Sequence, residues 1–584
     1  MNSSIVITGE GIVSAIGLDK LSVLRSLQDG KTGIGTMQYL DSVHKELPVG
    51  EVPLSNEEMK EQLGISGLAS RTALMGILAI KQAIEEAKIQ EGNKRIVLIS
   101  GTTVGGMDLT ERYYEELVHG DFKHLDCLEY HDCGGCTQFM ANYFGIFSDY
   151  TTISTACSSA ANALILGANL LKSGKADLVI AGGTEALSKF HLNGFNSLMI
   201  LDKEVCRPFD ATRAGLNLGE GAAFLVLETE GSARQRNVPI HAYLNGYGNA
   251  CDAFHQTATS ENGEGAYLAM NEALRMAGIL PSDVQYVNAH GTGTPNNDAS
   301  ESVALNRVFG KKMPLVSSTK SYTGHTTSAS GSIESVISIL ALQHQFVPGN
   351  LGWKNPFNDG IIPTLGESHY ELHHVLCNSF GFGGNDSSLL FSDRPTSVID
   401  SIWSDREIKV LSKVEINSEE ELAEIKQFVK PLEARRMGKL MKSSLLSSLK
   451  ALQQAGIQCP DAIITGTSMG CLENSELLLN EIHEQGEQMI KPTLFMQSTH
   501  NTISSNIAIR LKCHGYNTTY TQGDHSLEWA MRDAELLLKS GKAKTVLVGI
   551  HDETTPVFRD IMSKLGKKYD YSIHSLVMVL SCGN

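Results

Sequence analysis

The chain has 584 residues, 42% apolar and 19% charged, which fits several packed globular units and excludes a disordered or fibrous protein. Its net charge of −17 argues against a general nucleic-acid surface and means that an acidic partner needs a local basic patch. No apolar run is long enough to span a membrane, and the N-terminus MNSSIVITGEGIVSAIG lacks a basic leader and is interrupted by Glu10. The 11 cysteines are scattered and read as reduced thiols, so a cytoplasmic location is expected.

Glycine-bounded runs rich in Val, Ile and Thr predict buried strands at 5–9, 95–101, 150–156 and 178–183. Helical spacing with charge on one face predicts helices over 68–88 and 158–173, and 224–231 closes this first unit. A second unit opens near 240 with the strand HAYLNGYGNA and a helix over 264–278. It continues with VQYVNAHGT (strand), a helix over 298–308, PLVSSTKS (strand) and a helix over 330–344, ending in the hairpin VLCNSFGFGGNDSSLLFS. Two βα-rich halves, 1–235 and 236–395, predict a duplicated α/β architecture.

Residues 396–405, within DRPTSVIDSIWSD, read as a linker, and 406–584 as a third unit. A predicted helix over 437–457 parallels the one at 68–88, and IITGTSMG parallels LISGTTVG. VLVGIHDETTP parallels VIAGGTEALS, and SLVMVLS parallels the strand closing the first unit. Nothing after 405 matches the second unit. NLLKSGKAD (169–177) and LLLKSGKAK (536–544) fix the offset between the copies at 367 residues, Lys172 to Lys539. That offset sets Cys157, in STACSSAANAL, against Asp524, in TYTQGDHSLEW. One copy can do thiolate chemistry and the other cannot.

Cys157 stands between a strand end and a helix N-terminus, where the helix dipole and free N–H groups favour a thiolate. Alone, it is a weak signal, because a buried structural cysteine is the commoner case. Its companions are His290 in VNAHGTGTPNND, Lys320 and His325 in SSTKSYTGH, Glu334 nine residues on, and the amide turn NSFGFGGND. A cysteine, two loop histidines, a lysine and a glycine-rich turn, each at a strand end, form a constellation for nucleophilic acyl transfer. His124, Cys127, His131, Cys133 and Cys136 also crowd one stretch. Their spacing fits a zinc or redox site poorly, and packing near a pocket is the expected role.

STACSSA, AHGTGTPNND, STKSYTGH and NSFGFGGND, in this order and joined by RPFDATRAGLNLGEGAA, resemble the β-ketoacyl-acyl carrier protein synthases of the elongating I/II type. The resemblance covers roughly residues 1–395 and implies the layered αβαβα thiolase-like fold. A second histidine at 325, where initiating synthases carry Asn, indicates the elongating type. No second catalytic cysteine stands in the glycine turn, unlike thiolases.

The resemblance implies that Cys157 takes an acyl chain from a carrier protein, with the Cys157 and Phe382 amides as oxyanion hole. His290 and His325 would stabilise the enolate left when malonyl thioester loses carbon dioxide, and Lys320 with Glu334 would support them. Thr292 and Thr294 would contact pantetheine, Phe382 would gate the acyl pocket, and residues near Met107 and 131–145 would set its depth. Arg71, Arg207 and Arg213 are candidate docking residues for the acidic carrier.

The expected reaction is decarboxylative condensation in fatty acid, polyene or polyketide elongation. The alternative is a non-catalytic chain-length factor or scaffold. No metal or cofactor is expected beyond the carrier's phosphopantetheine, nor any nucleic acid. A homodimer is expected through 150–156, the strand before the nucleophile, with the third unit packed on the body or on its counterpart in the dimer. SASGS (328–332) stands where the family commonly has a GAAGA-like stretch. Ala214 stands where an acidic residue is usual. Both departures leave substrate range open.

Overall fold

In the computed structural model, which describes residues 4–90, 92, 94–397, 403–404 and 406–583, the first unit alternates strand and helix. It runs β1 (Ile5–Ser14), α1 (Arg71–Glu86), β2 (Ile96–Gly101), α2 (Met107–Val118), α3 (Cys133–Phe144), β3 (Asp149–Ile153), α4 (Ser159–Lys172), β4 (Leu178–Glu185), α5 (Lys189–Ser197) and β5 (Gly221–Thr229). The starts of the helices are encoded locally: Ser70 caps α1 by accepting from the Ala73 amide, and Asp132 caps α3 by accepting from Gly135.

The second unit runs β6 (Ala242–Cys251), α6 (Glu264–Ala277), β7 (Tyr286–Asn288), α7 (Pro295–Phe309), β8 (Leu315–Ser317), α8 (Ser330–His344), β9 (His374–Gly381) and β10 (Asn385–Ser392). The third runs β11 (Ile408–Ile416), α9 (Lys439–Ala455), β12 (Ala462–Gly466), α10 (Leu472–Gln485), α11 (Thr502–Leu511), β13 (Tyr516–Tyr520), α12 (Ser526–Lys539), β14 (Thr545–Glu553), α13 (Pro556–Lys564) and β15 (Ile573–Cys582). It therefore repeats the first unit element for element and stops where the second unit would begin. The proposed linker falls largely outside the described residues, at 398–402 and 405. The sequence reading omitted β11, the counterpart of β1.

The strands form one continuous order, β8-β7-β9-β10-β6-β1-β5-β4-β2-β3-β13-β12-β14-β15-β11. Around the middle, β2 lies parallel between β3 and β4, and β12 lies parallel between β13 and β14. The two units meet antiparallel, with Ile153 opposite Tyr520. These two residues are each other's counterparts at the 367-residue offset. The bond from the Ser154 amide to the Thr519 carbonyl (2.9 Å) is matched by its mate from Thr521 to Thr152 (3.0 Å). Such reciprocal contacts define a two-fold relation, here within one chain.

This junction corrects the expected mode of association. The edge of β3 was expected to meet a second copy, but its C-terminal end, at Thr152–Ser154, pairs with β13 of the same chain. The interface is close-packed. A Cβ on Gly194 of α5 would lie 2.2 Å from the Phe495 ring, and one on Gly134 would lie 2.9 Å from the Cα of Gln522. One apolar core runs from Ile7 and Leu164 through to Ala462 and Trp529. The far edge, β11, leaves Val410 and Leu411 exposed but is flanked by exposed Lys409 and Lys413, which discourage edge pairing.

Candidate active site

Chain reversals at the ends of β3, β7, β8 and β9 bring the predicted residues together. After β3 the chain turns sharply, and Ala156 takes the left-handed conformation (φ +50°) that sets Cys157 at the start of α4. Past β7, the carboxylate of Glu301 on α7 accepts from the amides of His290 (2.8 Å) and Gly291 (2.7 Å) and so fixes the HGTGT loop. Lys320 and His325 follow β8, and Phe382 sits in the turn between β9 and β10.

Cys157 Sγ lies 3.0 Å from His325 Nε2. The His290 and His325 rings stand edge to face with centroids 5.3 Å apart. Ligand atoms of Cys157, His290 and His325 all lie within 4.8 Å of one another, close enough to act on one thioester. That trio has the donors for a soft cation, but Lys320 Nζ lies 3.3 Å from His290 Nδ1 and opposes a second positive charge there. Lys320 and Glu334 form a short buried ion pair.

Burial dominates the electrostatics. It pushes the Cys157 thiol up to about 12, opposed by the Lys320 charge and by a hydrogen bond from the Phe382 backbone. Burial, helped by Lys320, holds both histidines well below their ordinary value, so they are neutral. Glu334 is raised to about 7 by burial, with Lys320 opposing. The thiol is therefore protonated at rest, and its nearest acceptor is His325.

A pocket of about 340 Å³ reaches these groups, lined by Cys157, His290, His325, Thr292, Thr294 and Phe382. A second cavity, of about 760 Å³, lies between the first and third units. Met107, Tyr114 and Leu117 form one wall, and Leu472, Leu479 and Phe558 the other. The segment expected to bear on pocket depth contributes His131, Gly134 and Gln138. A constriction of about 40 Å³, bounded by Thr103, Met107, His191 and Phe495, adjoins this second cavity and shares Met107 and Leu472 with it. Phe382 stacks on Phe195, which packs on Phe495 of the third unit.

The SASGS departure has a structural meaning. Ser330 Oγ lies 3.0 Å from His325 Nδ1, Ser328 donates to the buried carboxylate of Glu185, and Ser332 accepts from the Gly183 amide. Glu301 and Glu185 were missing from the residues the sequence pointed to, and the hydroxyls of SASGS had no partner assigned. The first was accessible, because Asp298 and Glu301 sit one helical turn apart directly after HGTGT.

Arg71 corrects the docking expectation. It is buried, and its guanidinium is held by Glu220 (2.6 Å) and by the Val52 and Leu54 carbonyls, which leaves no face for a partner. Arg207 is paired with Asp202 and Glu204, and Arg213 stacks over Phe357 and donates to the Pro295 carbonyl at the pocket rim. In the histidine–cysteine cluster, CGGC forms the first turn of α3. Cys136 contacts Ser70, His131 contacts Thr110 and His124 contacts Glu116.

Family models agree with this arrangement. The β-ketoacyl synthase N-terminal domain matches residues 2–233 and its C-terminal domain residues 241–354. A second N-terminal domain model matches residues 408–582. The 3-oxoacyl-[acyl-carrier-protein] synthase 2 of Vibrio cholerae is 31% identical over 417 residues, covering 66% of this chain and 98% of the relative. The chain belongs to the β-ketoacyl synthase family. Among solved structures, this β-ketoacyl synthase is similar to the ishigamide ketosynthase/chain length factor (TM-score 0.63, 28% identity, 68% of this chain and 100% of that one). The PfaC keto synthase–chain length factor covers 99% of this chain, with 78% of its own length matched, at TM-score 0.79 and 16% identity. That last likeness shows that the fold of nearly the whole chain, the third unit included, is shared with that structure.

Proposed function

We propose that this β-ketoacyl synthase catalyses decarboxylative Claisen condensation of an acyl thioester with a malonyl thioester, both presented on acyl carrier protein. The observation that carries the reading is the convergence of Cys157, His290 and His325 at the end of a pocket whose mouth is lined by Thr292 and Thr294. Cys157 Sγ attacks the acyl thioester while its proton passes to neutral His325 and on to the departing carrier thiol. The Cys157 and Phe382 amides face the oxyanion. Malonyl thioester then loses carbon dioxide, and His290 and His325 donate to the enolate oxygen, with the Lys320 charge behind His290. The enolate carbon attacks the Cys157 thioester, giving 3-oxoacyl carrier and a free Cys157. Ser330 Oγ can donate to or accept from His325 Nδ1, so either tautomer of that ring keeps a partner.

The growing chain passes Phe382 and the constriction at Met107 into the cavity between the units. The third unit is a wall of that cavity and carries no chemistry: Asp524 is exposed at its edge, and among the described residues no His–His–Lys set faces it. Arg213 and Arg207, beside the mouth, are the remaining docking candidates for an acidic carrier. A cytoplasmic setting fits this reading, and among the described residues no helix is long and apolar enough to cross a membrane.

The test separates the half-reactions. Cys157→Ala should abolish acylation and condensation yet still decarboxylate malonyl carrier. His290→Ala should still accept an acyl group on Cys157 while decarboxylation falls by about 10²–10³. Mass spectrometry of enzyme and carrier reads both. Normal condensation by Cys157→Ala would sink the reading.

A further inference from the structure

The turn that carries Phe382 is built from Gly381, Phe382, Gly383 and Gly384, with Gly383 and Gly384 at φ +85° and +77°. Such a run has little stiffness of its own, so tertiary contacts decide where its amides point. The peptide after Phe382 is pinned at both ends. Its N–H, on Gly383, donates to the Gln256 carbonyl (2.7 Å), and its carbonyl, on Phe382, accepts from Asn501 Nδ2 of the third unit (2.7 Å).

Asn501 is 1% exposed and precedes α11, and its Nδ2 also donates to Asn385 Oδ1 (2.7 Å) at the far end of the turn. The fit leaves no slack: a Cβ on Gly383 would lie 2.2 Å from Ser505 Oγ and 2.9 Å from Asn501 Nδ2. The other pin also leans on the third unit, because the Gln256 side chain donates to Asn506 (2.8 Å).

The same unit is wired to the nucleophile. Asn385 donates to Asn517 on β13 (2.9 Å), and the Asn517 amide donates to Asn249 (2.9 Å). Asn249 donates to Asn162 (2.8 Å), and Asn162 donates to Thr155, two residues before Cys157 (2.9 Å). A chain of asparagines, passing through the backbone N–H of Asn517 and ending on the Thr155 hydroxyl, thus joins the Phe382 turn to the Cys157 turn through the third unit.

We infer that Asn501 is a positioning residue that the third unit supplies to the first active site, fixing the Phe382 amide opposite the Cys157 amide for the oxyanion of acyl transfer. The inference rests on the proposed condensation and goes beyond it. In it the appended unit acts on the chemistry through a polar contact, besides walling the cavity. Preorganised donors stabilise developing charge only if they are held before it appears, and here the holding group comes from outside the synthase proper.

The test uses the full chain with Asn501→Ala and Asn501→Asp, the second of which keeps the side chain's shape and removes the donor. Acylation of Cys157 by acyl carrier should fall by about 10–100-fold. Decarboxylation of malonyl carrier, which depends on His290 and His325, should stay within about two-fold, below the cost of losing a single donor. Acylation at the wild-type rate in either folded variant would overturn the inference. So would equal loss of both activities with a lowered melting temperature, which would mark a merely structural role. A wild-type chain that never acylates Cys157 would instead overturn the proposed function itself.

Discussion

Ala156 and Gly523 occupy the same place in the two copies, one residue before Cys157 and Asp524, with φ of +50° and +53°. A residue with a side chain in this conformation costs of order 1–3 kcal/mol, and glycine escapes most of that cost. The strain is kept where the nucleophile must be aimed and is relieved where no nucleophile remains. Arg71 teaches the opposite lesson. In sequence it stands at the start of an amphipathic helix and passes for a surface cation, yet it lies beside Glu220 among backbone carbonyls. Removing one partner of a buried pair strands the other, at about 3–5 kcal/mol. Arg71→Ala should therefore lower the melting temperature sharply in a thermal melt. A variant as stable as wild type would show that the pair is not structural.

At the level of elements, Met107 at the start of α2 borders both the constriction and the cavity between the units. Met107→Trp should close the passage, shortening the longest product while early extensions continue, as read by mass spectrometry of carrier-bound chains. An unchanged length distribution would take Met107 out of the path. Much of this layout was legible in the sequence because strand-end motifs carry both fold and chemistry. The turn after β3, the HGTGT loop and the glycine turn each announce a catalytic group. The duplicated KSGKA segment gave the register of the third unit, which holds without drift from β3 to the end of α5. What stayed hidden was the contact made across units: Asn501 is an ordinary polar residue until folding sets it beneath Phe382, 119 residues away in the chain. Glu301 under His290 and Ser330 beside His325 are local contacts whose partners the spacing alone does not name. The strand β11 was missed because only its Ser412, Val414 and Ile416 are buried, and Lys409, Lys413 and Glu415 break the apolar pattern.

On the scale of the molecule, the third unit stands where a two-fold partner would stand. It pairs through β13 with the end of β3, its Phe495 and Asn501 reach Phe195 and the glycine turn, and its α10 and α13 wall the cavity. Where a homodimer was expected through 150–156, the end of that strand pairs with β13 of the same chain. Deleting 406–584 should therefore expose β3 and the apolar face around it, and yield a product that aggregates or pairs with itself. The most direct test of the whole account is native mass spectrometry of the full-length protein after incubation with acyl carrier protein bearing an acyl chain. The account predicts one acyl group for each 63.2 kDa chain, with no acyl group on Cys157→Ala. An acyl group that persists in Cys157→Ala would contradict it.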